Sequence, residues 1–197
     1  DFKPSFRFLV PLLLPISLLA ALAMTWLQTR WRLAGILVCL LIVAEWAGGW
    51  SRARTEAAHR ARDMEERLMV GVWLGEHLPG GSLVALHSVG AIPWASRLPT
   101  VDLWGLTDAH IARVEVETMG TGMVGHEKTD YAYAFGRHPV VYLPEEDLVT
   151  VEPTRLPVPS AFPANFEERY EQLSVRLGQR WLNLFRLRDT SFESATR

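Results

Sequence analysis

Charge is absent from the chain between Phe8 and Leu27 and evenly interleaved with apolar residues near its end, and this contrast divides the sequence. The first stretch, FLVPLLLPISLLAALAMTWL, runs twenty residues. At about 1.5 Å of rise per residue, a helix of that length covers a hydrocarbon core of about 30 Å. A second apolar stretch, Leu33 to Ala44, has only twelve residues, but read from Trp31 to Trp50 it reaches span length. Trp26 and Trp31 mark one edge of the pair, Trp46 and Trp50 the other, and Phe6 and Phe8 complete the first edge. Aromatic belts of this kind sit at headgroup level, and Arg32 and Glu45 lie close enough to the ends to reach the interface. The pattern predicts a membrane α-helical hairpin over 1–50, with the lipid bilayer as partner. A second span so soon after the first argues against a cleaved signal peptide. Pro11 and Pro15 are tolerated in spans whose neighbours re-satisfy the freed carbonyls. The chain starts at Asp1 and turns apolar almost at once, so a longer polypeptide is expected to precede it.

Beyond Trp50 the pattern changes to that of a soluble domain over 51–197. Ala57, Ala61, Met64, Leu68 and Val72 recur every three or four residues, one stripe of an amphipathic helix expected to pack on the domain and to end at Pro79, Gly80 and Gly81. Ser82 to Ser88, Val101 to Leu106 and Pro139 to Leu143 are short apolar runs between turn residues and predict buried strands. Thr107 or Asp108 is positioned to cap a helix through Ile111 and Ala112, and Asp130 another from Tyr131 to Phe135. Five prolines between Pro144 and Pro163 predict an irregular crossing. Tyr170 to Leu177 and Trp181 to Arg188 alternate apolar and polar around Gly178 and Gln179, an antiparallel hairpin with one buried face. The expected class is therefore a soluble α/β domain with a mixed sheet and a C-terminal antiparallel hairpin, following the membrane helices.

A formal charge of -2 argues against nucleic acid as a partner. Cys39 is the one cysteine and falls in the second apolar stretch, so residues 51–197 hold no disulfide and no thiolate metal site.

Candidate chemistry gathers on three loops. Gly120, Gly122 and Gly125 spell G-x-G-x-x-G, with Glu145 about twenty residues on. A dinucleotide loop needs a buried strand before it, whereas VEVETM alternates with Glu115 and Glu117, so a glycine loop without cofactor is the reading. His126, Glu127, Asp130, Asp102, Asp108 and His110 offer nitrogen and oxygen donors, but no zinc spacing occurs, and neither a nucleophile elbow nor a Walker loop is present. No metal and no cofactor is called for. The glycine leaving the first strand, in VGAIPWAS, faces the crevice where open α/β sheets bind ligands. Trp94, Trp104, Asp102, Asp108, His126 and Glu127 are the candidate substrate-binding residues, because flat rings and carboxylates together suit sugar rings. The alternative is that Asp108 and Asp130 cap helices, the tryptophans fill the core, and His126 and Glu127 solvate a loop.

The stretches VGAIPWAS, PTVDLWGLTDAHIAR and GHEKTDYAYAFGRHPVVYL, in that order, resemble the C-terminal domain of bacterial polytopic GT-C-type membrane glycosyltransferases, including mycobacterial arabinofuranosyltransferases. The similarity covers about Leu83 to Leu143, with Trp94 where a tyrosine is expected. It implies a membrane enzyme that transfers sugar from a polyprenyl-phosphate donor to a cell-envelope glycan, with the soluble domain supporting acceptor recognition. It also implies that the catalytic carboxylate lies on an early external loop outside this sequence, so no catalytic residue is carried over. The alternative is a non-catalytic, membrane-anchored glycan-binding or interaction module. Arg52, Arg54, Arg60 and Arg62 would by charge count put the domain in the cytoplasm. The resemblance implies the reverse, a cytoplasmic (inner) membrane protein with its soluble domain extracytoplasmic.

Overall fold

A computed structural model of the chain describes residues 11–117, 119–122 and 126–190. The chain divides into two compact units, Asp1–Ala61 and Arg62–Arg197.

In the first unit, α1 (Leu13–Arg30) and the beginning of α2 (Arg32–His77) are separated by Trp31 alone. Trp31, at φ -145° and ψ 76°, leaves the helical conformation and interrupts the helix, while the Gly35 amide donates to its carbonyl. Trp31 thus stands where the expected hairpin has its turn. Pro15 sits in the first turn of α1, where no intrahelical amide bond is lost. Ser17 and Thr25 hydroxyls donate back to the Leu13 and Leu22 carbonyls, which satisfies them inside the helix. The apolar side chains point outward on every side, with Leu14 73% and Leu33 84% exposed. Among the described residues one helix, α2, is long and apolar enough to cross a membrane, and the apolar part of α1, Leu13–Leu27, is shorter. Phe8 to Val10 of the first expected span, and the flank with Lys3, Phe6 and Arg7, lie outside the described residues.

The second unit is a mixed six-stranded sheet covered on both faces. Its strands are β1 (Val84–Leu86), β2 (Thr100–Asp102), β3 (Val141–Tyr142), β4 (Val149–Thr150), β5 (Tyr170–Leu177) and β6 (Arg180–Leu187). β1 pairs in parallel with β2 on one edge and with β3 on the other. β6 is the hub of the remainder and pairs antiparallel with β3, β4 and β5. Side chains alternate across the sheet, as strand geometry requires. Val84, Leu86, Val141, Leu143, Leu182 and Leu184 meet Val70 and Leu74 of α2 and Ile92 of α3 (Ala91–Ser96). Ala85, Tyr142 and Phe185 face the other way, onto Phe135 of α4 (Tyr131–Gly136), Phe162, and Phe166 of α5 (Phe166–Arg169). Phe135 is central to that aromatic layer, with ring centroids 4.8 Å from Phe162 and 5.0 Å from Phe166.

Three expectations change. The stripe through Ala57, Ala61, Met64, Leu68 and Val72 is not the packing face, since Met64 is 52% and Val72 48% exposed. Val70, Leu74 and Leu78 are the buried positions instead, because Gly71 and Gly75 let α2 close onto α3. A Cβ on Gly71 would meet the Ile92 carbonyl at 2.7 Å, and one on Gly75 the Ser96 carbonyl at 2.9 Å. The run from Val101 to Leu106 is strand only as far as Asp102, where a carboxylate-held loop begins. The proline-rich crossing contains β4, a two-residue strand on the edge of β6. Leu156 and Phe162 of the same crossing enter the core, and the Gln172 side chain bonds the Leu156 amide (2.9 Å) and the Thr154 carbonyl (2.6 Å). The antiparallel hairpin β5–β6 and the α4 cap at Asp130 are as expected.

Candidate functional site

The order β2-β1-β3, with α3 on one face and α4 on the other, is the arrangement in which doubly wound sheets open a crevice at the carboxyl ends of their parallel strands. The residues that the strands deliver to this edge are His87 just after β1 and Asp102 at the end of β2, followed by Trp104.

Asp102 is 1% exposed and its carboxylate is fully used. One oxygen accepts from the Trp104 amide at 3.0 Å, and the other from the Thr107 amide at 2.6 Å and its hydroxyl at 3.1 Å. The loop after β2 is wound around this buried charge, and Gly105 turns it at a φ of 70°. Asp102 therefore holds Trp104 in position, with both of its oxygens engaged by its own loop. Trp104 is half-buried, with its ring centroid 5.1 Å from that of His87 and 4.0 Å from that of His126, both at tilted angles.

His87 is 7% exposed, and its Nε2 lies 3.3 Å from the Tyr131 hydroxyl. Burial pushes its pKa down from 6.5 to about 4; the Asp102 carboxylate raises it, and His126 lowers it further. The imidazole is therefore neutral at physiological pH. Burial and then Glu145 raise the pKa of the Tyr131 phenol, which keeps its proton. Among the described residues, the Nδ1 atoms of His87 and His126 are buried side-chain polar atoms without a hydrogen-bond partner. Native proteins leave few such groups, because each costs about 1–3 kcal/mol.

A family model described as a domain of unknown function (DUF8728) matches residues 52–191. The chain belongs to this family. No curated protein and no solved structure matches it. The His87, Trp104 and His126 cluster lies well inside the range matched to DUF8728.

The remaining candidates in the DUF8728 domain separate from this cluster. Asp108 caps the short 3₁₀ turn Ile111–Arg113, accepting from the His110 amide (2.9 Å) and the Ile111 amide (3.1 Å). Its second oxygen accepts from the Tyr133 hydroxyl (3.4 Å) and from Arg137 (3.5 Å). Glu127 turns away to the glycine loop and accepts from the Gly120 amide (2.7 Å) and the Gly122 amide (3.0 Å). A carboxylate of the chain thus occupies the donors that a phosphate would need, which removes the dinucleotide reading; Gly125 lies outside the described residues. Trp94 is 67% exposed on α3, under the Arg97 guanidinium at 5.9 Å, and belongs to the surface rather than the core. Among the described residues there is no group of three or more histidine, cysteine or acidic side chains able to hold a metal ion.

The sequence places His87 in a predicted strand and Tyr131 in a predicted helix, and marks neither as a site residue. SLVALHS looks like a plain buried strand, and the one available signal was position: the residue leaving the first parallel strand of a β2-β1-β3 order faces the crevice.

Proposed function

We propose that the chain is the C-terminal part of a GT-C-like membrane glycosyltransferase. In this reading its N-terminal helices lie in the bilayer, and its α/β domain, outside the cytoplasm, holds the acceptor glycan while sugar arrives from a polyprenyl-phosphate donor. One observation carries the reading. Two of the three stretches that resemble such enzymes, the second with Trp104 and the Asp102 scaffold and the third with His126 and Tyr131, meet at one edge of the sheet beside His87. An indole beside two imidazoles and a phenol is a stacking and hydroxyl-bonding surface, which is what a sugar ring requires. The carboxylates nearby are committed to loops and caps, so the domain's role is recognition rather than bond breaking.

The uncovered apolar surface of α2 supports the bilayer part of the reading, since nothing in water stabilises so many exposed leucines on one helix. The test uses the full-length protein in nanodiscs with neutral pentose and hexose oligosaccharides. Trp104→Ala is expected to weaken oligosaccharide binding about tenfold or more and to lower transfer to acceptor, as loss of a stacking ring does. Unchanged binding and transfer would overturn the recognition role. A reporter fused at Arg197 should be active only outside the cytoplasm; a cytoplasmic signal refutes the orientation.

A further inference from the structure

Resting on the glycan reading above, we infer that His87 reads one hydroxyl of the bound sugar through Nδ1, and that Tyr131 sets which hydrogen-bonding role this atom plays. His87 lies at the first strand's carboxyl end, beside Trp104, and is more than nine-tenths buried. Its two nitrogens have unequal company. Nε2 faces the Tyr131 hydroxyl at 3.3 Å, and Nδ1 meets no partner among the described residues. A neutral imidazole carries one proton, so the two nitrogens must take opposite roles. If the phenol donates to Nε2, then Nδ1 is a donor; if Nε2 donates to the phenol, then Nδ1 is an acceptor.

A hydroxyl is the group that fits either case, because it both donates and accepts. A carboxylate or phosphate only accepts, and an anion would approach a site already containing the buried Asp102 charge, whose field reaches the imidazole. An ammonium only donates and would demand one fixed tautomer. The group selected is neutral and both donates and accepts, which under the glycan reading is a hydroxyl of an uncharged sugar. Burial, which keeps the ring neutral, keeps it suited to such a ligand across the physiological range.

The two nitrogens are separable by substitution. An asparagine amide reaches about where Nδ1 stands and a glutamine amide about where Nε2 stands. The expected result, by calorimetric titration of the full chain in nanodiscs with a neutral oligosaccharide, is that His87→Asn stays within about threefold of the unmodified protein. His87→Gln, which loses the Nδ1 contact, should bind about tenfold more weakly, as expected for one buried hydrogen bond. In the unmodified protein, ¹⁵N resonances should report a hydrogen bond forming at His87 Nδ1 on saturation, a change that a merely structural histidine would not give. The inference is overturned if both variants bind like the parent, if both fall together, or if the Nδ1 resonance does not move. Binding that is lost in Trp104→Ala but insensitive to both His87 variants overturns the His87 role and leaves glycan recognition standing. Absence of any binding by the parent overturns both.

Discussion

The antiparallel and parallel halves of the sheet each bury a polar side chain, and the two are satisfied very differently. Asn183, in the middle of β6, is fully buried and uses its whole amide. Its nitrogen donates to the Asp147 carbonyl and the Thr150 hydroxyl, both at 2.8 Å. Its oxygen accepts from the Ser174 hydroxyl at 2.7 Å and the Thr154 amide at 3.3 Å. These bonds fasten the edge strand β4 and the start of the proline-rich crossing to the β5–β6 hairpin. His87, just after β1, has one partner at 3.3 Å and a second ring nitrogen buried without a partner among the described residues. A satisfied buried network fixes a fold, whereas a half-satisfied one costs stability and is kept where something else uses the open group. The antiparallel half is therefore the scaffold and the parallel half carries the site.

The comparison breaks most visibly if Asn183 can be lost cheaply. Asn183→Leu removes four hydrogen bonds from a fully buried position and leaves the half-buried Thr154 amide without its partner, an expected loss of about 4 kcal/mol. For a domain of this size that is about 15 °C in Tm. Near-ultraviolet circular dichroism of the chain in detergent measures it, and a shift of only a degree or two would mean that the network is not the clamp of the scaffold.

The next effect belongs to His87 and depends on pH. Its folded pKa, about 4, lies below the unfolded value near 6.5, so the unfolded chain binds the extra proton first as pH falls. Above about pH 6.5 the group is neutral in both states and contributes no pH dependence. Between there and about pH 4 stability drops, by about 3 kcal/mol in all, and then levels off. His87→Asn has no proton to gain and should flatten that part of the profile. Burial is the main cause of the shift, with Asp102 and His126 the titratable neighbours that modify it, so a profile unchanged in His87→Asn would assign the acid sensitivity to other groups.

The same division explains what was legible in the sequence. The hairpin announced itself because alternation over eight-residue strands and Gly178 at a φ of 60° are local signals. The short strands of the parallel half were visible as apolar runs, but their ends were not: Val101 to Leu106 reads as one run, and only the Asp102 carboxylate, bonding backward to its own loop, cuts it short. The packing face of α2 was misread since two stripes share its sequence, and the choice between them rests on Gly71 and Gly75 meeting α3, a tertiary contact with no local periodicity. β4 was hidden by the prolines around it, its pairing being supplied by β6. His87 was overlooked because an open ring nitrogen is a property of the assembled edge. Of the six candidate residues, Trp104, Asp102 and His126 meet there, whereas Asp108, Glu127 and Trp94 are engaged elsewhere.

A smaller effect sharpens the boundary of the site. Asp130 accepts from the Tyr133 amide at 2.9 Å to cap α4 and lies 3.0 Å from His110 Nε2, and these two bonds hold its pKa below the usual carboxylate value. Asp130→Ala should cost about 1 kcal/mol, the ordinary loss for a helix cap, and should leave oligosaccharide affinity unchanged. Thermal melts and titration of the same sample check both, and a fall in affinity would extend the site toward His110.

The smallest stability change is expected at His126, and its pairing with Glu127 tests which neighbour belongs to recognition. The His126 ring lies tilted against Trp104 with centroids 4.0 Å apart, the residue is only half-buried, and its Nδ1 bonds to nothing among the described residues. Its truncation removes little that the folded state relies on, so His126→Ala should stay within about 0.5 kcal/mol of the parent. Glycan binding should nevertheless weaken, because the ring that flanks the indole is gone. Glu127 has the opposite profile. Its carboxylate accepts from the Gly120 and Gly122 amides, and Glu127→Ala leaves those donors to water. Faster amide hydrogen exchange at Gly120 and Gly122 should report this, with Tm and glycan affinity close to the parent. Equal loss of affinity in the two variants would mean that the glycine loop, and not the Trp104 face, contacts the sugar.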